Sequence, residues 1–323
     1  MPQVSEHFDG RRFRNSEPIS PRSLATILRW QLTKQAELWP RWVNDSAWPP
    51  PGSVTPGHAS LTFIGHSTFL IRLAARDGTP VTILTDPIFS PRCSPLPWAG
   101  PKRVRAPGLA LDALPRPDAV LVSHNHYDHM DLASLRALHK RFTPRFVTTP
   151  GNARTLRRAG ITDAAELDWW EEASIGPLRI TATPARHFAR RGFLDINRSL
   201  WAGFMLELGG QRLLFAGDSG RGRHWAAIRE RLGPPNVALL PIGAYLPRSI
   251  MQDVHMDPHE AVRALLDLGA ARAVGMHFGT FQLTDEGIDA PLRALEEARA
   301  EAGLAREAFD VLAFGETREL PLA

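Results

Sequence analysis

Cysteine is almost absent: Cys93 stands alone in a chain of 323 residues. No disulfide can therefore form within the chain, and no thiolate cage for a metal can be built from it. That scarcity fits a reducing compartment, and a cytoplasmic location, extending to the membrane periphery, is the expectation. Lysine is nearly as scarce. Lys34, Lys102 and Lys140 are the only lysines, so the formal net charge of +4 rests on arginine. Arginine suits bidentate contact with phosphate or carboxylate, although a GC-rich genome produces the same bias without such a partner. No apolar run approaches the roughly 18 residues of a membrane-spanning helix. The first twenty residues include His7, Asp9, Arg11, Arg12, Arg14 and Glu17 and hold no apolar core of a secretory signal. A soluble or peripheral protein is expected. KH, RRM and zinc-knuckle signatures are missing too, so no nucleic-acid partner is expected.

What is present is the composition of a folded domain, 43% hydrophobic and 22% charged. Residues 1 to about 18 read as a polar, poorly ordered arm. Ser20-Pro21 then has the form of an N-cap and first helical position, and Leu24, Ile27, Leu28, Leu32, Ala36 and Trp39 follow at helical spacing up to Pro40. Trp30, Trp39, Trp42 and Trp48 crowd this stretch. Such enrichment suits a membrane-interface element, or a helix docked on its own domain or on a partner subunit. Pro49-Pro50-Pro51-Gly52 is a stiff connector that closes an N-terminal segment, 1–52, ahead of a main domain at 53–323.

From residue 60 strands dominate. Leu61–Ile64, Thr68–Leu73 and Val81–Leu84 are short and apolar, with turn signals at Gly65 and Asp77-Gly78. Later candidates are Ala119–Val122, Arg145–Thr148, Leu178–Ala182, Leu200–Leu208, Arg212–Phe215, Val237–Leu240, Ala273–Met276 and Val311–Phe314. Helical patterns alternate with them: one capped by Asp131, and others around 222–232, 258–268 and 290–302. The helix at 258 is fully signed, with Asp257 as N-cap, Pro258 first, Glu260 closing a capping box and Gly269 as stop. Strand-rich halves with helices outside predict an α/β fold, a four-layer αββα sandwich whose strand-end loops meet along one edge.

Strand Ala119–Val122 runs into Ser123-His124-Asn125-His126-Tyr127-Asp128-His129. Three histidines and an aspartate just past a buried strand are costly unless something neutralises them. Alternate side chains of extended backbone share a face, so His124 and His126 can converge on one cation. The turn towards Asp131 can swing Asp128 and His129 to a second. Imidazole and carboxylate are zinc ligands where thiolate is lacking. His187, Asp218 and His277 repeat one placement, a polar residue at a strand exit, where this architecture gathers its loops.

The HxHxDH motif with a distant His, Asp and His resembles the metallo-β-lactamase superfamily. SHNHYDH in particular is similar to the N-acyl-phosphatidylethanolamine-hydrolysing phospholipase D family. Thr85-Asp86-Pro87-Ile88-Phe89-Ser90, Gly100-Pro101-Lys102-Arg103, Leu167-Asp168-Trp169-Trp170-Glu171, Phe215-Ala216-Gly217-Asp218, Pro241-Ile242-Gly243-Ala244-Tyr245 and His277-Phe278-Gly279-Thr280-Phe281 resemble it in order. The resemblance implies two Zn2+ per chain. His124, His126 and His187 would hold one, and Asp128, His129 and His277 the other. Asp218 would bridge them, and Asp128 and Asp218 would be the catalytic carboxylates. Tyr127 and His255 resemble positions that contact substrate. Asp86 would orient a ligand histidine, against the alternative of an Asp-Pro turn. The implied activity is a zinc-dependent phosphodiesterase of phospholipase D type. It would hydrolyse N-acyl-phosphatidylethanolamine or a related phospholipid through a metal-bridging hydroxide. Peripheral membrane contact and a homodimer come with the resemblance. Two alternatives stand beside it: the same site acting on a lactone, another ester or a non-lipid phosphodiester, and a non-catalytic metal-binding protein.

Overall fold

The computed structural model describes residues 5–20, 24–75 and 78–322. Its strands are β1 (His58–Gly65), β2 (Thr68–Ala74), β3 (Pro80–Thr85), β4 (Ala119–Leu121), β5 (Arg145–Thr148) and β6 (Ala165–Glu166), then β7 (Glu172–Ile175), β8 (Leu178–Thr183), β9 (Gly203–Leu208), β10 (Gln211–Phe215), β11 (Val237–Pro241), β12 (Arg272–Met276), β13 (Phe309–Asp310) and β14 (Thr317–Pro321). They form two seven-stranded sheets, ordered β14-β1-β2-β3-β4-β5-β6 and β13-β12-β11-β10-β9-β8-β7. Each sheet switches once from antiparallel to parallel pairing, at β3 in the first and at β10 in the second. Parallel strands need crossover connections, and the chain supplies them as helices. In chain order the helices are α1 (Leu24–Thr33), α2 (Leu132–Phe142), α3 (Ala153–Leu156), α4 (His224–Leu232), α5 (Arg248–Met251), α6 (Pro258–Leu268) and α7 (Ala290–Glu301). None is long and apolar enough to cross a membrane.

Side-chain alternation explains the layering. On β2, Phe69, Ile71 and Leu73 enter the core shared with Phe204, Leu206 and Leu239 of the second sheet. Leu70 points the other way and packs with Leu84, Val120 and Val122 against Leu135 and Leu138 of α2. A sheet buried on both faces reads as a near-continuous apolar run, as these strands do. Trp225 and Ile228 of α4, Leu265 of α6 and Leu295 of α7 complete the second sheet's core. The result is the expected αββα sandwich. Capping follows the expectation as well: Asp131 accepts from Ala133 N, and Asp257 and Glu260 make a reciprocal capping box on α6 before Gly269 turns left-handed.

Three expectations differ from the structure. Val311–Phe314 is not a strand. Gly315, at φ +90°, turns the chain there, and Phe314 fills the space between Phe63 and Phe278 instead of pairing with a neighbour. The first helix stops at Thr33 rather than near Trp39, and its expected start at Ser20-Pro21 lies partly outside the described residues. So does part of the Asp77-Gly78 turn. The arm is not loose. Phe8 and Phe13 bridge each other in a tight hairpin and join the main core, Phe13 being 1% exposed. His7 stacks on Trp169 and meets Asp168 at 2.7 Å. The tryptophan-rich stretch likewise docks on its own domain, Trp30 donating to Asp285 Oδ2 and Trp39 to Glu286 O.

Phe13→Ala removes a fully buried ring and is expected to destabilise the fold by about 3–5 kcal/mol. Urea unfolding checks this; a loss under about 1 kcal/mol would show the arm to be a passive appendage.

Candidate metal centre

The parallel strands all leave their sheets towards one edge, where an open α/β sheet characteristically places its site. His124 to His129 follow β4, Asp86 follows β3, Asp218 follows β10 and His277 follows β12. His187 lies beyond β8. Two glycines let these turns close. Gly217 has φ +60°, and a Cβ there would stand 2.8 Å from Ala202 O. A Cβ on Gly243 would stand 2.1 Å from His277 O. His66, Asp86, Ala244 and His277 all have positive φ without being glycine. Each such residue costs about 1–3 kcal/mol, which the surroundings offset. His277 N donates to His66 O, and Asp86 N to Leu121 O.

The structure brings together every residue singled out for metal binding. His124, His126 and His187 form one group whose donor atoms lie within 4.8 Å of one another. Asp128, His129 and His277 form a second, joined by His66. Asp218 Oδ2 stands between the groups. It is 3.1 Å from His129 Nε2 and 3.2 Å from His277 Nε2, then 3.8 Å from His187 Nε2 and 4.0 Å from His124 Nε2.

Proton accounting tests whether these groups suit a cation. Ser123 Oγ donates to Asp86 Oδ2, so it accepts from His124 Nδ1–H and leaves His124 Nε2 a bare lone pair. His187 Nδ1–H donates to Val254 O, which does the same for His187 Nε2. Both lone pairs face His126 Nδ1, at 2.9 and 3.2 Å. One proton on His126 cannot satisfy both, whereas one cation satisfies all three. In the second group His129 Nδ1–H donates to Asp86 Oδ2 at 2.6 Å, which turns Nε2 towards Asp218 and Asp128. His129 Nε2, His277 Nε2 and Asp218 Oδ1 are buried without hydrogen-bond partners. The donor set fits two cations.

Electrostatics agree with the division. Burial, with the neighbouring imidazoles, holds His124 well below the ordinary histidine value. Burial brings His126 down to about 4, against the pull of Asp128. Burial also depresses His187, so the first group is neutral and ready to ligate. Burial opposes the charges of the second group too, but Asp218 and Asp128 outweigh it and lift His277 to about 9. Asp128 and Asp218 are held well below the usual carboxylate range by His129 and its neighbours, despite burial.

The other expected residues are close by. Asp86 is fully buried and accepts from His129 and from Ser123 N and Oγ, so it is more than an Asp-Pro turn. Tyr127 donates its hydroxyl to Arg191 O, and the Arg191 guanidinium stacks 4.0 Å over its ring. His255 Nδ1 lies 3.9 Å from Asp218 Oδ2.

Two residues escaped the sequence reading. His66 Nε2 lies 2.9 Å from Asp128 Oδ2, its ring 4.0 Å from that of His277. Its position in Gly65-His66-Ser67-Thr68, at the exit of β1, repeats the placement that betrayed the others. Asn15 gave no such signal. Its side chain accepts from His187 N and donates to His187 O, clamping that histidine from the arm.

A family model described as a β-lactamase superfamily domain matches residues 81–278. The chain belongs to the metallo-β-lactamase superfamily. An uncharacterized protein of Mycobacterium tuberculosis is 39% identical over 241 residues, 73% of this chain and 63% of that one. The mitochondrial N-acyl-phosphatidylethanolamine-hydrolyzing phospholipase D of Saccharomyces cerevisiae is 38% identical over 221 residues, 66% of this chain and 47% of that one. The match thus spans between about half and two thirds of these curated relatives' length. Among solved structures, a metallo hydrolase of Ignicoccus hospitalis superposes with a TM-score of 0.61 at 25% identity, covering 81% of this chain and 98% of that one. A protein of Solibacter usitatus named as a metal-dependent hydrolase is 30% identical over 227 residues, 68% of this chain and 85% of that one.

Removing the partner that orients a ligating histidine typically costs 10–100-fold in metal affinity. Asp86→Ala is expected to lose metal to a competing chelator about that much more readily. Wild-type retention by the folded variant would refute the orienting role.

Proposed function

We propose that the domain is a zinc phosphodiesterase of phospholipase D type, cleaving N-acyl-phosphatidylethanolamine or a closely related phospholipid. One observation carries the substrate class. The cation-binding cluster lies in the wall of a cavity of about 700 Å³ lined by Ile19, Ile27, Trp30, Phe188 and Ile250 as well as by His126, Asp128 and Asp218. The surrounding segments leave large apolar side chains in solvent: Leu28 and Leu32 on α1, Trp98, and Phe193 and Leu194, the last two 93% and 81% exposed. An apolar channel ending at cationic phosphate chemistry suits an acyl chain joined to a phosphodiester. An exposed apolar rim suits contact with a membrane surface. The similarity to the yeast phospholipase supports the same reading.

In this reading His124, His126 and His187 would hold one zinc and Asp128, His129 and His277 the other, with the Asp218 carboxylate within reach of both groups. Bound zinc supplies Lewis acidity to the phosphoryl oxygens and acidifies water near neutral pH. The chain's own residues position the rest. Asp86 presents His129 through Nδ1, the Val254 carbonyl presents His187 through Nδ1, and Asn15 fixes the His187 backbone. Arg191 holds the Tyr127 ring at the cavity wall, and His255 lines the same cavity. In this reading both touch the scissile group. Water adds across the phosphorus–oxygen bond to the N-acylethanolamine, releasing that alcohol and a phosphatidic acid.

Asp218→Asn is expected to abolish hydrolysis while leaving the circular dichroism spectrum unchanged, since its carboxylate serves both groups. Turnover by a folded, metal-loaded variant would defeat the shared-ligand role. Product analysis of the zinc-loaded protein with N-acyl-phosphatidylethanolamine, a lactone and a simple phosphodiester tests the substrate. Cleavage of the lactone alone would transfer the same centre to ester hydrolysis. Phe193→Asp is expected to lower activity on vesicles several-fold while sparing a soluble short-chain diester; equal losses on both would remove the membrane role.

A further inference from the structure

Tyr127 and Arg191 also line a second concavity, of about 390 Å³, which the proposed reaction does not use. Arg154, Arg158, Arg191 and Arg198 line it, together with Asn125 and Ser199. Several arginines of this protein meet carboxylates: Arg105 pairs with Asp45 at 2.6 Å, Arg186 with Asp253 at 2.8 Å and Arg318 with Asp310 at 2.8 Å. Here they do not. Among the described residues none of these four guanidiniums has a carboxylate within ion-pair distance, and Arg191 spends its Nη1 on the carbonyls of Asn125 and Met130. Asp195 is the single carboxylate in the lining, and its Oδ1 is taken by the backbone amides of Arg191 and Gly192.

Four guanidiniums around a lining with one carboxylate leave an excess of positive charge, which costs free energy that a bound anion would return. Burial depresses the Arg191 guanidinium, against the pull of Tyr127 and Asp131, and Arg158 adds to the depression. Asn125, only 3% exposed, also belongs to the lining. Its Nδ2 lies 3.4 Å from Ser199 Oγ while its Oδ1 has no partner. Turning the amide over lets Ser199 Oγ–H donate to the oxygen.

We propose that this concavity binds a phosphomonoester group, held by the forks of Arg154, Arg158 and Arg198 over the Arg191–Tyr127 ridge. A phosphomonoester carries a charge of about −1.5 to −2 and three strong acceptor oxygens. That matches several guanidiniums arranged around one space, where a carboxylate, with two oxygens and one charge, satisfies fewer. The space exceeds a bare phosphate, so the organic substituent fits with it. Exposed Leu194 shares the lining, so the ester can be a lipid headgroup as readily as a soluble metabolite. The site does not depend on which bond the metal centre cleaves.

Calorimetric titration of the zinc-loaded full chain with glycerol 3-phosphate and with dioctanoyl phosphatidic acid tests it, in wild type and in R154Q/R158Q. The double variant should lose one bound equivalent and keep the wild-type metal content and circular dichroism spectrum, which report an intact metal centre and fold. Any equivalent that remains belongs to the metals. Loss with both ligands assigns the site to the phosphate itself. Loss with the lipid alone assigns it to a headgroup, and loss with glycerol 3-phosphate alone to a soluble ester. Unchanged stoichiometry and affinity with both ligands would overturn the proposal. Arg154→Lys/Arg158→Lys, which keeps charge but loses the planar forks, should bind with intermediate affinity; wild-type affinity would overturn fork recognition.

Discussion

Asp218 Oδ2 is the atom on which the molecule converges. It stands within 4.0 Å of imidazoles carried by both sheets: His124 and His129 beyond β4, His187 beyond β8 and His277 beyond β12. Buried lone pairs aimed at one another are unfavourable in a low dielectric. Closing the sheets brings them together regardless, because the core between the sheets drives closure. A cation bound there would relieve this conflict and tie one sheet to the other.

The surrounding hydrogen bonds serve that arrangement. Asp86 accepts from Ser123 and His129, and Ser123 in turn fixes the tautomer of His124. One aspartate beyond β3 thereby orients a histidine of each group. On the far side, Arg103 donates to Ile88 O and Ser90 O, and Arg105 donates to Gly279 O while pairing with Asp45. These buried arginines brace the loop after Asp86 and the loop after His277. They are part of why strained backbone at Asp86 and His277 persists.

The donor residues were legible because they share a local grammar: an apolar strand, then a polar residue at its exit. His124 to His129 announced themselves by density, and His187, Asp218 and His277 by repeating the placement. His66 obeyed the rule but stood alone in a short turn, so its meeting with Asp128, 62 residues away, left no trace in the sequence. Asn15 and Phe13 were illegible for a stronger reason. Each acts through a partner far along the chain, Asn15 on His187 across 172 positions, and a polar segment with two phenylalanines looks like any loose terminus. Val311–Phe314 failed in the opposite sense. Its apolar pattern was real, but Gly315 converted it from a paired strand into packing material for Phe63 and Phe278.

The family match begins at residue 81 and ends at 278, and all seven expected donors fall inside it. Ile19, Ile27 and Trp30, which build one wall of the large cavity, fall outside. One wall of the container therefore comes from a different part of the chain than the chemistry. Exchanging the N-terminal helix would reshape what the cavity admits without touching a single ligand, whereas the clamp from Asn15 to His187 keeps the two from drifting apart. Selectivity can change in this architecture almost as a replaceable cover, fastened to the rest of the domain by contacts that include Asn15 with His187, Trp30 with Asp285 and Trp39 with Glu286.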